Sequence, residues 1–155
     1  MIEYVPGESN SGLFGGNSNW RGPIWLPVNY MLIQAIEKFH RFLGNEFTFA
    51  VPCLAGRRLT LNGIANLIAE RVVDIYRPGA GGTIPAMQTQ PPFLSDPHWR
   101  DLLLFYEYFH AETGQGLGAS HQTGWTGLLA NLVLRQYREE IPAFWRGQQI
   151  QEAAE

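Results

Sequence analysis

The chain has 155 residues, enough for one compact domain that buries ~70% of its extended surface, and a formal net charge of -3, which with no stretch of interleaved Lys, Arg and aromatic residues argues against a nucleic-acid surface. Aromatic residues make up 13% and charged residues only 16%, against a usual charged share of about 25%, so polar contacts must come largely from amides, hydroxyls and backbone, a balance that suits a neutral ligand. No window approaches the ~18 to 20 consecutive apolar residues of a membrane span, the first ten residues, MIEYVPGESN, lack the features of a signal peptide, and the single cysteine, Cys53, allows no internal disulfide framework or structural zinc site.

These features predict a cytoplasmic protein with no membrane or nucleic-acid partner, no cofactor, and a semi-buried thiol at Cys53. The chain opens in a loop that leads directly into an aromatic, glycine-rich block, GLFGGNSNWRGPIWLPVNY, at residues 12 to 30. A first helix is predicted from Pro27 or Val28 to Leu43, with Met31, Ile33, Ala35, Ile36, Phe39, Phe42 and Leu43 on a broad buried face and Gly44-Asn45 as its stop. A second begins after Thr60, a plausible N-cap, and carries Ile64, Leu67, Ile68, Val72 and Ile75 before Pro78 and three glycines end it. A third opens at Ser95-Asp96-Pro97, where a side-chain oxygen caps the free N–H groups, and continues through Leu102, Leu103, Phe105 and Tyr106.

A second aromatic block, YEYFHAETGQGLGASHQTGWT, fills residues 106 to 126. The fourth helix starts near Ser120 or Thr123 and runs to about Glu139, with Trp125, Leu128, Leu129, Leu132 and Val133 inward and Pro142 as terminator. Long loops are expected at residues 5 to 24, 77 to 94 and 109 to 119, and connections of this length are uncommon in a compact domain unless they are functional or disordered. No strand alternation stands out, so the predicted class is all-α. Four helices with such apolar faces can hardly enclose a site alone, so a complementary surface is expected to be missing. Residues 142 to 155 read as a polar tail.

The two blocks contain the residue types that bind and cut a sugar. Indole rings stack on pyranose faces, and carboxylates, amides and guanidinium groups read hydroxyls. Glu107 is the carboxylate of interest because Phe105, Tyr106, Tyr108 and Phe109 flank it, and apolar neighbours tune a carboxyl group for proton transfer by disfavouring its charged form; the competing reading is a helix-end glutamate paired with an arginine or facing solvent. Glu112, beside Thr113-Gly114, reads as a solvated loop residue.

Trp20 and Trp25 bracket the rigid turn Arg21-Gly22-Pro23, which suits presenting one ring to a ligand while the other packs beneath. Arg21 can offer its planar fork of donors to vicinal hydroxyls, hold a carboxylate, or clamp loop carbonyls. Gln122 and His121 stand at a helix start behind Gly114, Gly116 and Gly118, where an amide can orient water or a hydroxyl and the histidine reads as structural. The histidines at 40, 98, 110 and 121 have no metal-ligand spacing, and no phosphate loop, dinucleotide fingerprint or serine-hydrolase elbow is present.

The stretches GGNSNWRGPIWLPVNY and FYEYFHAETGQGLGASHQTGWTGL, with DPHWRDLLLFYEYF leading into the second, resemble the C-terminal part of the glycoside hydrolase family 63 catalytic domain, most closely its bacterial branch related to mannosylglycerate and glucosylglycerate hydrolases. The resemblance covers roughly residues 3 to 138 and is weak across 45 to 94. It implies a partial (α/α)6 barrel, with residues 1 to 141 as its C-terminal segment, and inverting hydrolysis by an acid and a base held ~6.5 to 9.5 Å apart. On that resemblance Glu107 is the general base, Trp20 and Trp25 contact the sugar, Gln122 is a polar substrate contact, and Arg21 and Trp125 belong to the same substrate-binding motifs. The family's general acid is an aspartate upstream of this segment, and none of Asp74, Asp96 and Asp101 occupies its context. The isolated chain is therefore expected to need a separate N-terminal half for turnover. Two other readings remain open: a non-catalytic sugar-binding or interaction remnant, and a helical packing module that buries both tryptophans.

Overall fold

The computed structural model describes residues 3–12, 20–88 and 95–136. In chain order these form helix α1 (Leu26–Leu43), strand β1 (Thr48–Val51), a 3-10 turn (Pro52–Leu54), strand β2 (Arg57–Thr60), helix α2 (Leu61–Asp74), a second 3-10 turn (Pro85–Met87), strands β3 (Tyr108–Phe109) and β4 (Gly116–Leu117), and helices α3 (Thr123–Thr126) and α4 (Leu129–Gln136). The architecture is mixed: helices accompanied by two small antiparallel hairpins, β1–β2 and β3–β4. This corrects the expectation of an all-α fold and of a partial (α/α)6 barrel.

The first two helices lie close to their predicted bounds, for local reasons. Pro27 sits in the first turn of α1, where its missing N–H is not needed; His40 and Arg41 complement the dipole at its end, and the Gly44 N–H donates to the His40 carbonyl at 2.8 Å. Thr60 caps α2, its hydroxyl oxygen accepting from the Gly63 N–H at 3.1 Å. Ala65, Ala69, Val72 and Val73 give α2 one buried face, and α2 packs against both α1 and α4. Arg135 on α4 ties the three together, reaching Glu37 on α1 and Asn66 on α2, each at 2.5 Å. Leu26, Ile33, Leu129 and Leu132 complete this core, with Ala86 and Met87 from the second 3-10 turn and Tyr106 and Phe109 from the strand region.

The face expected to bury α1 does so only in part. Ile33 is fully buried, whereas Met31, Phe39 and Phe42 are exposed, as are Val28 and Leu32. Spacings of three and four residues put Val28, Met31, Ala35, Phe39 and Phe42 on one outward stripe. Among the described residues, no helix is long and apolar enough to cross a membrane.

The β1–β2 hairpin pairs Thr48 with Thr60 and Val51 with Arg57, and Arg58 donates to the Thr48 hydroxyl at 2.9 Å. It follows from β-branched and aromatic residues at Phe47, Thr48, Phe49 and Val51. Cys53, on its turn, is exposed rather than semi-buried.

From Asp96 onward the predicted third helix does not form. Ser95-Asp96-Pro97 does start a turn, with the Asp96 carboxylate accepting from the His98 N–H at 2.8 Å and the Asp96 carbonyl accepting from Trp99 and Arg100. The turn does not propagate, because backbone groups from Phe105 onward bond to distant partners. The Phe105 carbonyl accepts from Gln122, the Glu107 N–H donates to Ala119, and Phe109 and Ile24 exchange both of their backbone bonds, at 2.8 and 2.9 Å. Tyr106 and Tyr108 are buried on a two-residue period with Glu107 between them. The fourth helix is interrupted at Gly127-Leu128, dividing it into α3 and α4, and its predicted end at Glu139, Pro142 and the tail fall outside the described residues. The Thr126 hydroxyl, fully buried, donates to the Tyr106 carbonyl and locks α3 to the extended segment.

Gly116 is the tightest point of that junction, since a Cβ there would lie 2.2 Å from the Tyr106 ring. Gly116→Ala is therefore expected to cost about 1–3 kcal/mol by overpacking, or about 2–4 °C of Tm per kcal/mol at this chain length. Gly124→Ala in α3, where a Cβ meets open space, should leave Tm unchanged or higher. Thermal unfolding of the pair checks this, and equal Tm values would contradict the packing described.

Candidate active site

Of the six residues singled out in the sequence, Trp20, Trp25, Trp125 and Glu107 gather around one end of the β3–β4 hairpin, Gln122 adjoins it through the Phe105 carbonyl, and Arg21 bonds to Ser9. The Ile24–Phe109 bridge holds the first aromatic block against the second. This places Trp25, one residue after the bridge, over Tyr108, one residue before it, with ring centroids 4.7 Å apart and planes at 22°. Trp20 stacks on Trp25 at 3.8 Å and 4°. Two rings so close to one centroid would overlap each other if they shared a face, so Trp20 and Tyr108 must occupy opposite faces of the Trp25 indole. Trp125 stands edge-on to both tryptophans, at 6.5 Å and 65° from Trp20 and 6.1 Å and 69° from Trp25, the offset edge-to-face arrangement that aromatic quadrupoles favour.

Burial divides the two tryptophans of the first block. Trp25 is 3% exposed and Trp20 58% exposed. The inner ring is therefore a support with both faces covered, and the outer ring offers an apolar face to solvent. A packing module that buries both indoles does not fit this arrangement.

Glu107 lies beside the buried end of the stack. Its N–H donates to the Ala119 carbonyl at 2.9 Å, and its Oε2 accepts from the Ala119 N–H at 3.3 Å, so one residue holds both the backbone and the carboxylate of Glu107. Gly118, at φ 69°, makes room for this: a Cβ there would lie 2.7 Å from Glu107 Oε2 and 2.8 Å from Tyr108 Cε1. Glu107 is half-buried. Among the described residues no arginine pairs with it; its carboxylate takes the Ala119 N–H instead.

Gln122 is exposed at the start of α3, its N–H on the Phe105 carbonyl at 2.7 Å and its own carbonyl accepting from Trp125 and Thr126. His121 is exposed and bridges Phe105, and Glu112 is exposed in the hairpin loop. Arg21 donates to the Ser9 hydroxyl at 3.2 Å. That contact brings in residues 5 to 9, which the sequence reading placed in a long loop without giving any of them a role. The Pro6 carbonyl accepts from the Ala111 N–H at 2.9 Å, and a Cβ on Gly7 would meet the His110 ring at 2.9 Å, so residues 5 to 9 form a strap along the hairpin. The polar run Glu8-Ser9-Asn10-Ser11 was its only sequence signal.

Tyr108 is the other residue missed. Its ring is fully buried, and burial first, then the carboxylates of Glu8 and Glu107, push its phenol up to about 12. Burial likewise pushes the Tyr76 phenol up. Among the described residues no three His, Cys, Asp or Glu side chains converge to hold a metal ion. A cavity of about 300 Å³ between α2 and α4, lined by Asn66, Ala69, Glu70, Arg77, Arg135 and Gln136, contains none of the aromatic-block residues.

The raised phenol has a consequence for alkaline stability. An unfolded tyrosine titrates near pH 10 and Tyr108 at about 12, so the native state holds the proton more tightly. The stability this confers is complete below pH 10 and is lost as pH rises through 12. Tyr108→Phe should therefore flatten the fall of Tm between those pH values, and an unchanged slope would contradict the burial described.

The chain is 42% identical over 135 residues, 86% of its length, to an uncharacterized protein of Saccharomyces cerevisiae. It is 24% identical over 129 residues, 83% of its length, to a probable mannosyl-oligosaccharide glucosidase of Schizosaccharomyces pombe, and 25% identical over 127 residues, 79% of its length, to the mannosyl-oligosaccharide glucosidase of Saccharomyces cerevisiae. The chain spans 12% of the length of each of these relatives. It matches no family profile and no solved structure. Mannosyl-oligosaccharide glucosidases are thus distant homologues of this chain.

Proposed function

We propose that the chain is the segment of a glycoside hydrolase that carries the general base, Glu107, and the tryptophan platform for the sugar. The observation that carries this reading is the juxtaposition of a half-buried carboxylate, oriented by the Ala119 amide, with an aromatic stack whose outer indole faces solvent. A base that activates water must be fixed in direction yet reachable, and a sugar ring needs a flat apolar face beside it. Similarity to glucosidases supports the reaction class. The proposed substrate is a short α-glucoside or a glucosyl- or mannosylglycerate-like glycoside, hydrolysed with inversion.

Inversion needs a second carboxyl group as acid, ~6.5 to 9.5 Å from the base. Among the described aspartates, Asp74 pairs with Arg77 at 2.7 Å, Asp96 closes its turn, and Asp101 is exposed beside Arg100. This favours an acid supplied by an upstream half of the same enzyme. The outward stripe on α1, with Met31 63% and Phe42 86% exposed, supports such a partner, because a contiguous apolar surface of this kind marks a contact. In this reading Trp20 contacts the sugar, Arg21 and Gln122 read its hydroxyls, Trp125 braces the platform, and Trp25 acts from beneath.

The test is a chimera in which the matching segment of the uncharacterized Saccharomyces cerevisiae relative is replaced by this chain and challenged with α-glucosides, glucosylglycerate and mannosylglycerate. Glu107→Gln should lower hydrolysis by about 10²- to 10⁴-fold and leave binding unchanged, since the amide keeps the shape but cannot take a proton from water. Normal turnover by that variant would remove Glu107 from the mechanism. Trp20→Ala should weaken binding by about 1–3 kcal/mol if the ring is a stacking platform, whereas a lower Tm at unchanged affinity would assign it to packing.

A further inference from the structure

Gly118 follows β4 at φ 69°, in the left-handed region that glycine adopts without steric cost. A Cβ there would lie 2.7 Å from Glu107 Oε2, 3.0 Å from Glu107 Cβ and 2.8 Å from Tyr108 Cε1. Of the other described glycines at positive φ, Gly44, Gly56, Gly81 and Gly82 face open space and Gly114 faces Pro85 and Ile75. Gly118 is the one of this group that meets Glu107.

The two carboxylate oxygens of Glu107 have different surroundings. Oε2 accepts from the Ala119 N–H at 3.3 Å, while the Ala119 carbonyl accepts from the Glu107 N–H at 2.9 Å, so the residue after Gly118 grips both the side chain and the backbone of Glu107. Oε1 accepts no hydrogen bond among the described residues and is not sealed from solvent. The space that a side chain at 118 would need is taken on one side by the Tyr108 ring and on the other by Oε2. Tyr108 is fully buried, with the Trp25 ring stacked on it at 4.7 Å, and cannot withdraw. The Glu107 carboxylate is the free end of a half-buried side chain, so it is the group that would swing aside, off the Ala119 N–H.

We infer that Gly118 is the positioning residue of the base: by carrying no side chain in a left-handed turn, it lets the Ala119 N–H hold Oε2 and leaves Oε1 as the oxygen that takes the proton from water. The inference rests on the reading of Glu107 as general base and adds which oxygen acts and what fixes its direction. The attacking water gives its proton to Oε1 as its oxygen bonds to the anomeric carbon. The glycosidic bond breaks with its electron pair going to the leaving oxygen, which takes a proton from the acid proposed for the upstream half.

The test is the pH dependence of kcat and kcat/KM for p-nitrophenyl α-glucoside in the chimera. Gly118→Ala should lower kcat about 10²-fold, the scale of a displacement of about 1 Å, with KM unchanged. The acid limb of kcat/KM should move about one unit to higher pH, because the carboxylate loses a hydrogen bond that favours its charged form. Gly56→Ala, at φ 78° with open space around its Cβ, meets the same backbone penalty and should keep the wild-type profile. Replacing Ala119 by lactate exchanges its N–H for an ester oxygen without adding bulk, and should reproduce the shifted limb even where Gly118→Ala fails to fold. An unmoved acid limb in the ester variant, or an equal shift in Gly56→Ala, would overturn the inference. If hydrolysis were still lost in Glu107→Gln, the glycosidase reading would survive that result. Normal turnover by Glu107→Gln, or no hydrolysis by the unsubstituted chimera, would remove both.

Discussion

An indole stacked on both faces cannot turn without losing two ring contacts, and Trp25 is in that position, between Trp20 and the fully buried Tyr108. The reciprocal backbone bonds of Ile24 and Phe109 set the register of this stack, because they fix which residues of the two aromatic blocks lie opposite each other. A slip of one residue would break the reciprocal Ile24–Phe109 bonds and take Trp25 off the Tyr108 ring. The site therefore depends on a two-residue pairing between segments more than 80 positions apart in the chain. The locked hydroxyl of Thr126, the clearance at Gly116 and Gly118, and the Ala119 contacts to Glu107 all follow from that register.

The helical layer does different work. α1, α2 and α4 form a core through small residues, Ala65 and Ala69, that let helices approach closely, and Arg135 clips them together. The opposite side of α1 carries exposed apolar residues, Val28, Met31, Leu32, Phe39 and Phe42, among its polar ones. In the proposed enzyme the hairpin end supplies the chemistry and the α1 stripe anchors that end to the rest of the molecule.

Local signals were legible where local physics decided the outcome. Thr60 as a cap, Pro27 near a helix start and Gly44 at its end all act within a few residues, and α1 and α2 follow from them. Leu102-Leu103-Leu104-Phe105-Tyr106 is apolar enough for a helix or a buried strand, and its choice was made by partners at Ile24, Gly116, Ala119 and Gln122 that no local window contains. The same non-local pairing hid Tyr108 behind its more conspicuous neighbour Glu107. Trp20 and Trp25 were recognisable as a pair with one ring above the other, because the Arg21-Gly22-Pro23 turn is rigid, but the covering of the inner face by Tyr108 was not. The fold class was misread because both hairpins are short, four and two residues per strand, and give too few alternations to register as strands.

The most direct test of the account is the anomeric configuration of the first hexose released from an α-glucoside by the chimera carrying this chain, followed by proton magnetic resonance before mutarotation. An account in which Glu107 activates a water opposite the leaving group predicts the β-anomer first, with release lost in Glu107→Gln. Release of the α-anomer first would make the carboxylate a nucleophile and contradict the inverting mechanism. No release from a folded chimera would contradict the assignment of this segment to a glycosidase.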